Sequence, residues 1–314
     1  MRISDRTCLT TLIGAVALLA AVPAMAAQAL PALANGGKPV VTAAAAAPAG
    51  TTLDAAAPAL EAVAVPAVSR SASGAASAPA AETPDTWFAL GLQAYNAGDG
   101  RLAVEHWRKA ADTGHLPAQW NLSILFRRGG LVERDIAESI RHLRAVAARH
   151  DPNRRPGAHS AMTVAALVEF ADITRAGEPA AKIQPDPARA ARMYEIAATL
   201  YGDARAQHRL GMMYLKGEGV SHHAGRALRW LALSARKRYV PSFAALGDFY
   251  WQNRSEGNNK VRGLMWLSLA KENVKRDDLR AAVTDRYNAA LTEANEEERQ
   301  KAMALIQTWN SSAE

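Results

Sequence analysis

The chain has 314 residues; 49% are hydrophobic by a broad count, yet only 6% are aromatic. Much of the apolar content is alanine, which argues against one large aromatic core and for many small helix contacts. The formal charge of +7 is scattered, in Arg141, Arg144 and Arg149 and again in Arg226, Arg229 and Arg236; these read as solvated helix faces, with an acidic partner surface as the alternative.

The chain opens with "MRISDRTCLTTLIGAVALLAAVPAMAAQAL". Arg2 and Arg6 form a positive start, and the apolar run from Thr10 to Val22 is short for crossing a bilayer. Ala24 to Ala26 supply the small residues read by a signal peptidase. Residues 1–26 are therefore predicted to be a signal peptide, cleaved between Ala26 and Ala27. The alternative, an uncleaved anchor, is disfavoured by the short run and its small-residue end. Cys8 is the only cysteine; it precedes the apolar run, so it is not the lipidated residue of a lipoprotein signal. Its removal leaves no disulfide, no thiol catalysis and no Cys-ligated zinc. An exported chain is not expected to meet nucleic acid.

Residues 27–84 are rich in Ala, Pro, Ser and Gly and have few charges. Proline recurs too often for a long helix, and little there could bury enough surface to offset chain entropy. The segment reads as a disordered or partly extended tether. Patterning begins at "TPDTWFALGLQAY", where Thr83-Pro84-Asp85 resembles a helix start.

Repeats follow over residues 85–273, about five in number. Leu210-Gly211 recurs as Leu246-Gly247 at an offset of 36 residues; Tyr214 recurs as Tyr250, Arg226 as Arg262, Trp230 as Trp266 and Leu231 as Leu267 at the same offset. Upstream, Leu122, Phe126 and Gly129 fit the same template, with His142 and Leu143 in place of Trp230 and Leu231. The first copy has Leu90-Gly91 and Trp107, with Trp107 matched to Trp230 and a connecting loop three residues shorter. A middle copy is stretched, with "EPAAKIQPDP" as an enlarged loop. Within one copy, Leu210, Tyr214 and Gly217 share a helix face, and Gly217 and Gly219 end that helix. Ala227, Trp230, Leu231, Ser234 and Ala235 make an apolar stripe on the second helix. A lone pair cannot bury such a stripe, but stacked pairs can. Residues 274–314 lack the repeat and read as two capping helices, the last with the stripe Ala302, Leu305, Ile306 and Trp309. The predicted fold class is all-α, an α/α solenoid.

The pattern L-G-x-x-Y-x-x-G-x-G-V followed by basic-Ala-x-x-W-L resembles the Sel1-like repeat family. Leu210, Gly211, Tyr214, Gly217, Gly219, Val220, Arg226, Ala227, Trp230 and Leu231 carry it. The resemblance implies a right-handed, TPR-related superhelix that acts as an adaptor. The enlarged third loop, the final repeat "VRGLMWLSLAKE" and the ending "DRYNAA...EERQKAMALIQTW" further resemble ExoR-type periplasmic repressors of exopolysaccharide synthesis. That resemblance implies a periplasmic location and a partner, the periplasmic domain of a membrane sensor histidine kinase. It also implies release of the kinase by a periplasmic protease, with effects on exopolysaccharide, motility and envelope genes. A general scaffold for envelope assembly is the competing reading. The long tether and the "NRSEGNN" of the fifth loop depart from the pattern.

Chemistry is sparse. Gly217-Glu218-Gly219 lacks the Lys-Ser/Thr of a phosphate loop. His222 and His223 are adjacent, unlike an i, i+4 metal pair; a part in acid sensing is conceivable for them. Glu296, Glu297 and Glu298 suit a helix start. Neither a catalytic constellation, a metal, a cofactor nor a small-molecule substrate is predicted, so the chain is read as a non-enzyme. Trp230 and Trp266 are predicted core. Trp120, Met213, Phe249 and Trp251 flank the core positions of first helices and are the nominated partner surface, with packing between helices as the alternative.

Overall fold

The computed structural model describes residues 82–150 and 160–311. The signal peptide, the Ala26–Ala27 cleavage position and nearly all of the tether lie outside them. The described residues form an all-α solenoid. Five helix pairs follow in order: α1 (Pro84–Asn96) with α2 (Gly100–Asp112), α3 (Leu116–Arg128) with α4 (Ile136–Ala147), α5 (Ser160–Ala176) with α6 (Pro187–Leu200), α7 (Ala204–Lys216) with α8 (Ala224–Arg236), and α9 (Val240–Gln252) with α10 (Asn259–Asn273). Each helix packs on its mate and on the next helix in the chain. The apolar interior is three successive clusters rather than one core, as an alanine-rich, quasi-one-dimensional array requires.

One device sets the start of four second helices. Asp99, Asp135, Asp186 and His223 are their N-caps. Each side chain accepts a hydrogen bond from the backbone three residues on: Leu102, Glu138, Arg189 and Arg226. Each cap's own amide donates to a carbonyl of the preceding helix, at Ala94, Phe126, Thr174 and Tyr214, over 2.7–2.9 Å. The cap therefore both starts its helix and latches it to its mate. In the fifth pair "NRSEGNN" replaces the latch: Asn258 makes no side-chain cap bond, and Asn259 Nδ2 donates to the Asn253 carbonyl instead.

Counting from these caps fixes the register. Eight residues on lie Trp107, Leu143, Tyr194 and Leu231, all at most 2% exposed. Facing them, the first helix carries a small residue. A Cβ on Gly211 would lie 2.8 Å from Leu231 Cγ, one on Gly247 2.7 Å from Leu267 Cγ, and one on Gly91 2.3 Å from Trp107 Cδ1. Trp107 thus occupies the place of Leu231, not of Trp230. The α1–α2 loop is residues 97–99 against 217–223 for α7–α8, so it is shorter by four residues rather than three. Trp107 Nε1 donates to the Phe88 carbonyl at 3.2 Å, which satisfies its polar atom. Trp266 is buried as expected, but Trp230 is only half-buried. Its position is the flank of the stripe, and Leu231 is the centre.

The last two helices, α11 (Asp277–Glu293) and α12 (Glu296–Ser311), both pack on α10. Trp309 meets Trp266 edge-on at 4.8 Å and Phe243 at 6.4 Å, covering the end of the final pair. Asn295 and Glu298 exchange side-chain-to-backbone hydrogen bonds, a capping box, and Glu298 also reaches Lys260 on α10 at 2.8 Å. Of the expected stripe, Ala302 is buried and Ile306 and Trp309 half-buried, but Leu305 is exposed; α12 is the outermost layer and buries only one narrow arc.

Alanine favours helix over glycine by about 1 kcal/mol, yet overpacking a filled site costs about 1–3 kcal/mol. Gly91→Ala and Gly211→Ala are therefore expected to lower the denaturant midpoint. Gly225→Ala, whose Cβ would come no nearer than 3.4 Å to any neighbour, is expected to leave it equal or raised. Urea titrations followed by circular dichroism check this; a rise for Gly91→Ala would refute the packing account.

Candidate partner-binding surface

Of the four nominated surface residues, two are not on the surface. Trp120 and Met213 are each 2% exposed and belong to the cluster that holds Leu143 and Tyr194. A first helix is wedged between its own mate and a neighbouring pair, so its apolar arc is wider than the Leu-Gly stripe, and the flanking positions are core as well. Met212 is half-buried and packs against the last cluster. Phe249 and Trp251 are half-buried and keep an open edge. Phe249 lies edge-on to Tyr250 at 5.6 Å, and the Arg254 guanidinium stands 5.4 Å from the Trp251 ring. Trp251 also backs against Gly263, where a Cβ would lie 3.0 Å from its amide nitrogen.

The remaining motif residues are construction. Leu210, Leu246 and Tyr250 are buried and Ala227 is fully so. Tyr214 and Tyr250 each lie under an arginine, Arg226 at 5.8 Å and Arg262 at 5.7 Å. This accounts for the basic residue before the Ala-x-x-Trp-Leu run. Gly217 adopts the left-handed conformation that ends α7 (φ 69°). Gly219 is held by close approach: a Cβ there would lie 2.4 Å from the Pro187 carbonyl carbon. Glu218 between them binds Arg175 of the previous pair at 3.2 Å. The Gly-Glu-Gly loop is thus a clasp between the third and fourth pairs. His223 is a helix cap, and His222 is exposed. Among the described residues no group of three or more His, Cys, Asp or Glu could hold a metal ion, and no helix is long and apolar enough to cross a membrane.

An ion-pair network went unread in the sequence. Arg127 (α3) and Arg205 (α7) both bind Glu169 on α5. Arg205 and Arg209, one turn apart, both bind Asp172, the latter at 3.0 Å. Tyr194 Oη donates to Asp172 at 2.5 Å. Burial first, and then the Asp172 charge, push the Tyr194 hydroxyl far above its usual range. The network ties three successive first helices. Its partners are far apart in sequence, so no local spacing announces it. One hint existed: Glu169 and Asp172 stand at i, i+3 within the mostly apolar "AALVEFADI". Further on, Asp248 and Arg286 pair at 2.6 Å between α9 and α11.

The Sel1 repeat family matches residues 88–115, 116–151, 177–201 and 204–239. The exopolysaccharide production negative regulator of Rhizobium meliloti (strain 1021) is 30% identical over 229 residues, 72% of this chain and 82% of the relative. The chain belongs to this ExoR-type family of Sel1-repeat proteins. A Sel1 repeat protein from Oxalobacter formigenes matches the fold with a TM-score of 0.51 at 26% identity, over 74% of this chain and 87% of that one. A protective antigen of uropathogenic Escherichia coli with an SLR fold gives a TM-score of 0.56 at 21% identity, over 72% of this chain and 45% of the antigen. That likeness concerns fold alone, and the chain spans less than half of the antigen's length.

Two features of this ExoR-type array respond to substitution or pH. Removing Asp172 takes a shared carboxylate from Arg205 and Arg209 at a largely buried site, where Arg205 keeps Glu169. Asp172→Ala is expected to cost about 3 kcal/mol, whereas Asp277→Ala, at an exposed pair, is expected to cost under about 1 kcal/mol; denaturant midpoints decide. On α4, burial and then the Arg141 charge hold buried His142 down at about 4. The hydrogen bond from Arg141, and then its charge, hold Glu138 down at about 2. Unfolding lets His142 take a proton near its ordinary 6.5, so its contribution is complete above that pH and is lost as pH falls toward 4. The Glu138 contribution is present above 4.5 and is lost toward 2. Stability is thus expected to decline between about pH 6.5 and 4, and His142→Asn to flatten that decline. Urea midpoints measured across the range check it.

Proposed function

We propose that this protein is a periplasmic, non-enzymatic regulator that restrains exopolysaccharide production by binding the periplasmic domain of a membrane sensor histidine kinase. The carrying observation is the relationship to the Rhizobium meliloti negative regulator over most of both chains. The repeat fold supports it: stacked pairs offer an extended surface on which a folded partner can rest. The secretory-type start of the sequence supports a periplasmic location, and a periplasmic protease is the device that would relieve the restraint. A general scaffold for envelope assembly is the second reading, favoured by the adaptor character of Sel1 repeats.

The decisive test uses the mature chain beginning at Ala27. It is expected to bind the purified periplasmic domain of the kinase, and deletion of the protein is expected to raise exopolysaccharide and alter motility. No binding together with unchanged phenotypes would favour the scaffold. In the same assay Phe249→Ala and Trp251→Ala are expected to weaken binding about tenfold or more, the scale of an interface anchor, with helicity retained. Full binding by the folded double variant removes these two residues from the interface.

A further inference from the structure

The enlarged loop of the third pair does more than connect α5 to α6. Residues 177–186 fill it, against 129–135 and 217–223 in the adjoining pairs. It is internally braced. Glu178 and Ile183 exchange both backbone hydrogen bonds, at 2.8 and 3.0 Å. A 3-10 turn at Pro179–Ala181 lies inside that bridge and packs against α4. Gly177 adopts φ 78°, and a Cβ there would lie 2.8 Å from Pro185. At the tip, Lys182 is held in the left-handed region at φ 56°, a conformation that costs a side-chain-bearing residue about 1 kcal/mol or more. Its amide donates to the Pro179 carbonyl at 3.0 Å. The lysine is thus set in place by the loop.

Between this loop, α4 and the start of α6 lies a cavity of about 660 Å³, within the range of a binding cleft. Its lining includes the apolar Ala137, Ala181, Ile183 and Pro185, with Ile140 and Phe170 buried behind them, and the cationic Arg141, Arg144, Lys182 and Arg189. Arg141 is occupied by Glu138 through two hydrogen bonds. Among the described residues no carboxylate pairs with Arg144, Lys182 or Arg189, and all three are exposed. The one acidic residue of the lining, Asp186, spends an oxygen capping α6. Three unpaired cations from three separate elements therefore surround an apolar lining, beside the N-terminus of a 14-residue helix that adds positive potential.

We propose that this groove seats an acidic peptide segment with spaced apolar side chains, contributed by the regulator's protein partner; the assignment to a partner rests on the function proposed above. The accessible apolar surface of the groove comes from Ala137, Ala181, Ile183 and Pro185, whereas its one aromatic ring, Phe170, is 8% exposed and offers little face for a sugar to stack on; this favours a peptide over an anionic saccharide. Charge complementarity favours carboxylates, and the braced loop lowers the ordering cost of holding them.

The probes are a labelled eight-residue peptide alternating Glu and Leu, its Lys/Leu counterpart, and oligogalacturonate. They are titrated by fluorescence anisotropy or competition against the mature full chain at low and high salt. The acidic peptide is expected to bind, to weaken with salt, and to bind about tenfold less tightly to Arg144→Glu/Lys182→Glu/Arg189→Glu. A second triple variant with the same charge change elsewhere, Arg101→Glu/Arg229→Glu/Arg236→Glu, is expected to bind like the parent, with equal helicity in all three proteins. Equal weakening by both triple variants, or binding of oligogalacturonate in preference to the peptide, overturns the proposal. The kinase domain separates the two readings. If it binds the parent and the groove variant alike, the groove is not the docking site, although the proposed function stands. If it does not bind the parent, the proposed function fails, and the peptide titration still reports on the groove.

Discussion

The array depends on a contact between one large side chain and one small one. In the first four second helices the residue eight places after the cap, and in the fifth Leu267, nine places after Asn258, is driven into the preceding helix, and that helix must offer almost no side chain at the point of contact. Gly91 under Trp107, Gly211 under Leu231 and Gly247 under Leu267 show the contact directly. Ser123 and Ala171, both buried, stand three residues before the latch carbonyls of Phe126 and Thr174, as Gly211 stands before that of Tyr214. Full burial of a Leu-sized side chain contributes about 1.5–3 kcal/mol, so this position repeated along the array is a large part of what offsets chain entropy in a protein with few aromatics. The latch from cap amide to carbonyl sets the angle at which the contact is made, and Asp, or His223 in its place, serves because its side chain can cap while its backbone latches.

Polar chemistry enters where the stacking leaves room. The Glu169 and Asp172 carboxylates sit between arginines of α3 and α7, so the third pair is joined to its neighbours by charge as well as by packing. Buried pairs of this kind add little net stability over apolar contacts, but they penalise misalignment. They cross-link α3, α5 and α7 through side chains rather than through packing alone. The same pair carries the enlarged loop and its cationic groove. An anchored third pair is a suitable place for such a groove, since a site held by rigid elements loses less on binding.

Legibility followed the range of the interaction. Repeat number, helix pairing, capping helices and the solenoid itself were readable because glycines, caps and apolar spacing act within a few residues, and the offset of 36 residues multiplied that signal. The register of the first copy differs by one place from the match of Trp107 with Trp230, because the centre of the stripe is Leu231 and not the motif tryptophan. Trp230 is half-buried while Leu231 is fully buried, and a motif letter does not say which of two adjacent apolar residues faces inward. Trp120 and Met213 are core rather than surface for a related reason: whether a flanking position is covered depends on the next pair, which no spacing within one helix records.

The α-class, the five-pair array and the family were legible in the amino-acid sequence, since each rests on residues near one another in the chain. Tertiary structure alone decided which cations meet carboxylates among the described residues. Glu169 engages Arg127 and Arg205, 42 and 36 residues away, whereas Arg144, Lys182 and Arg189 are brought to one groove where no carboxylate among the described residues pairs with them. Charges act through space, so their meaning appears only when the stacking has set the distances.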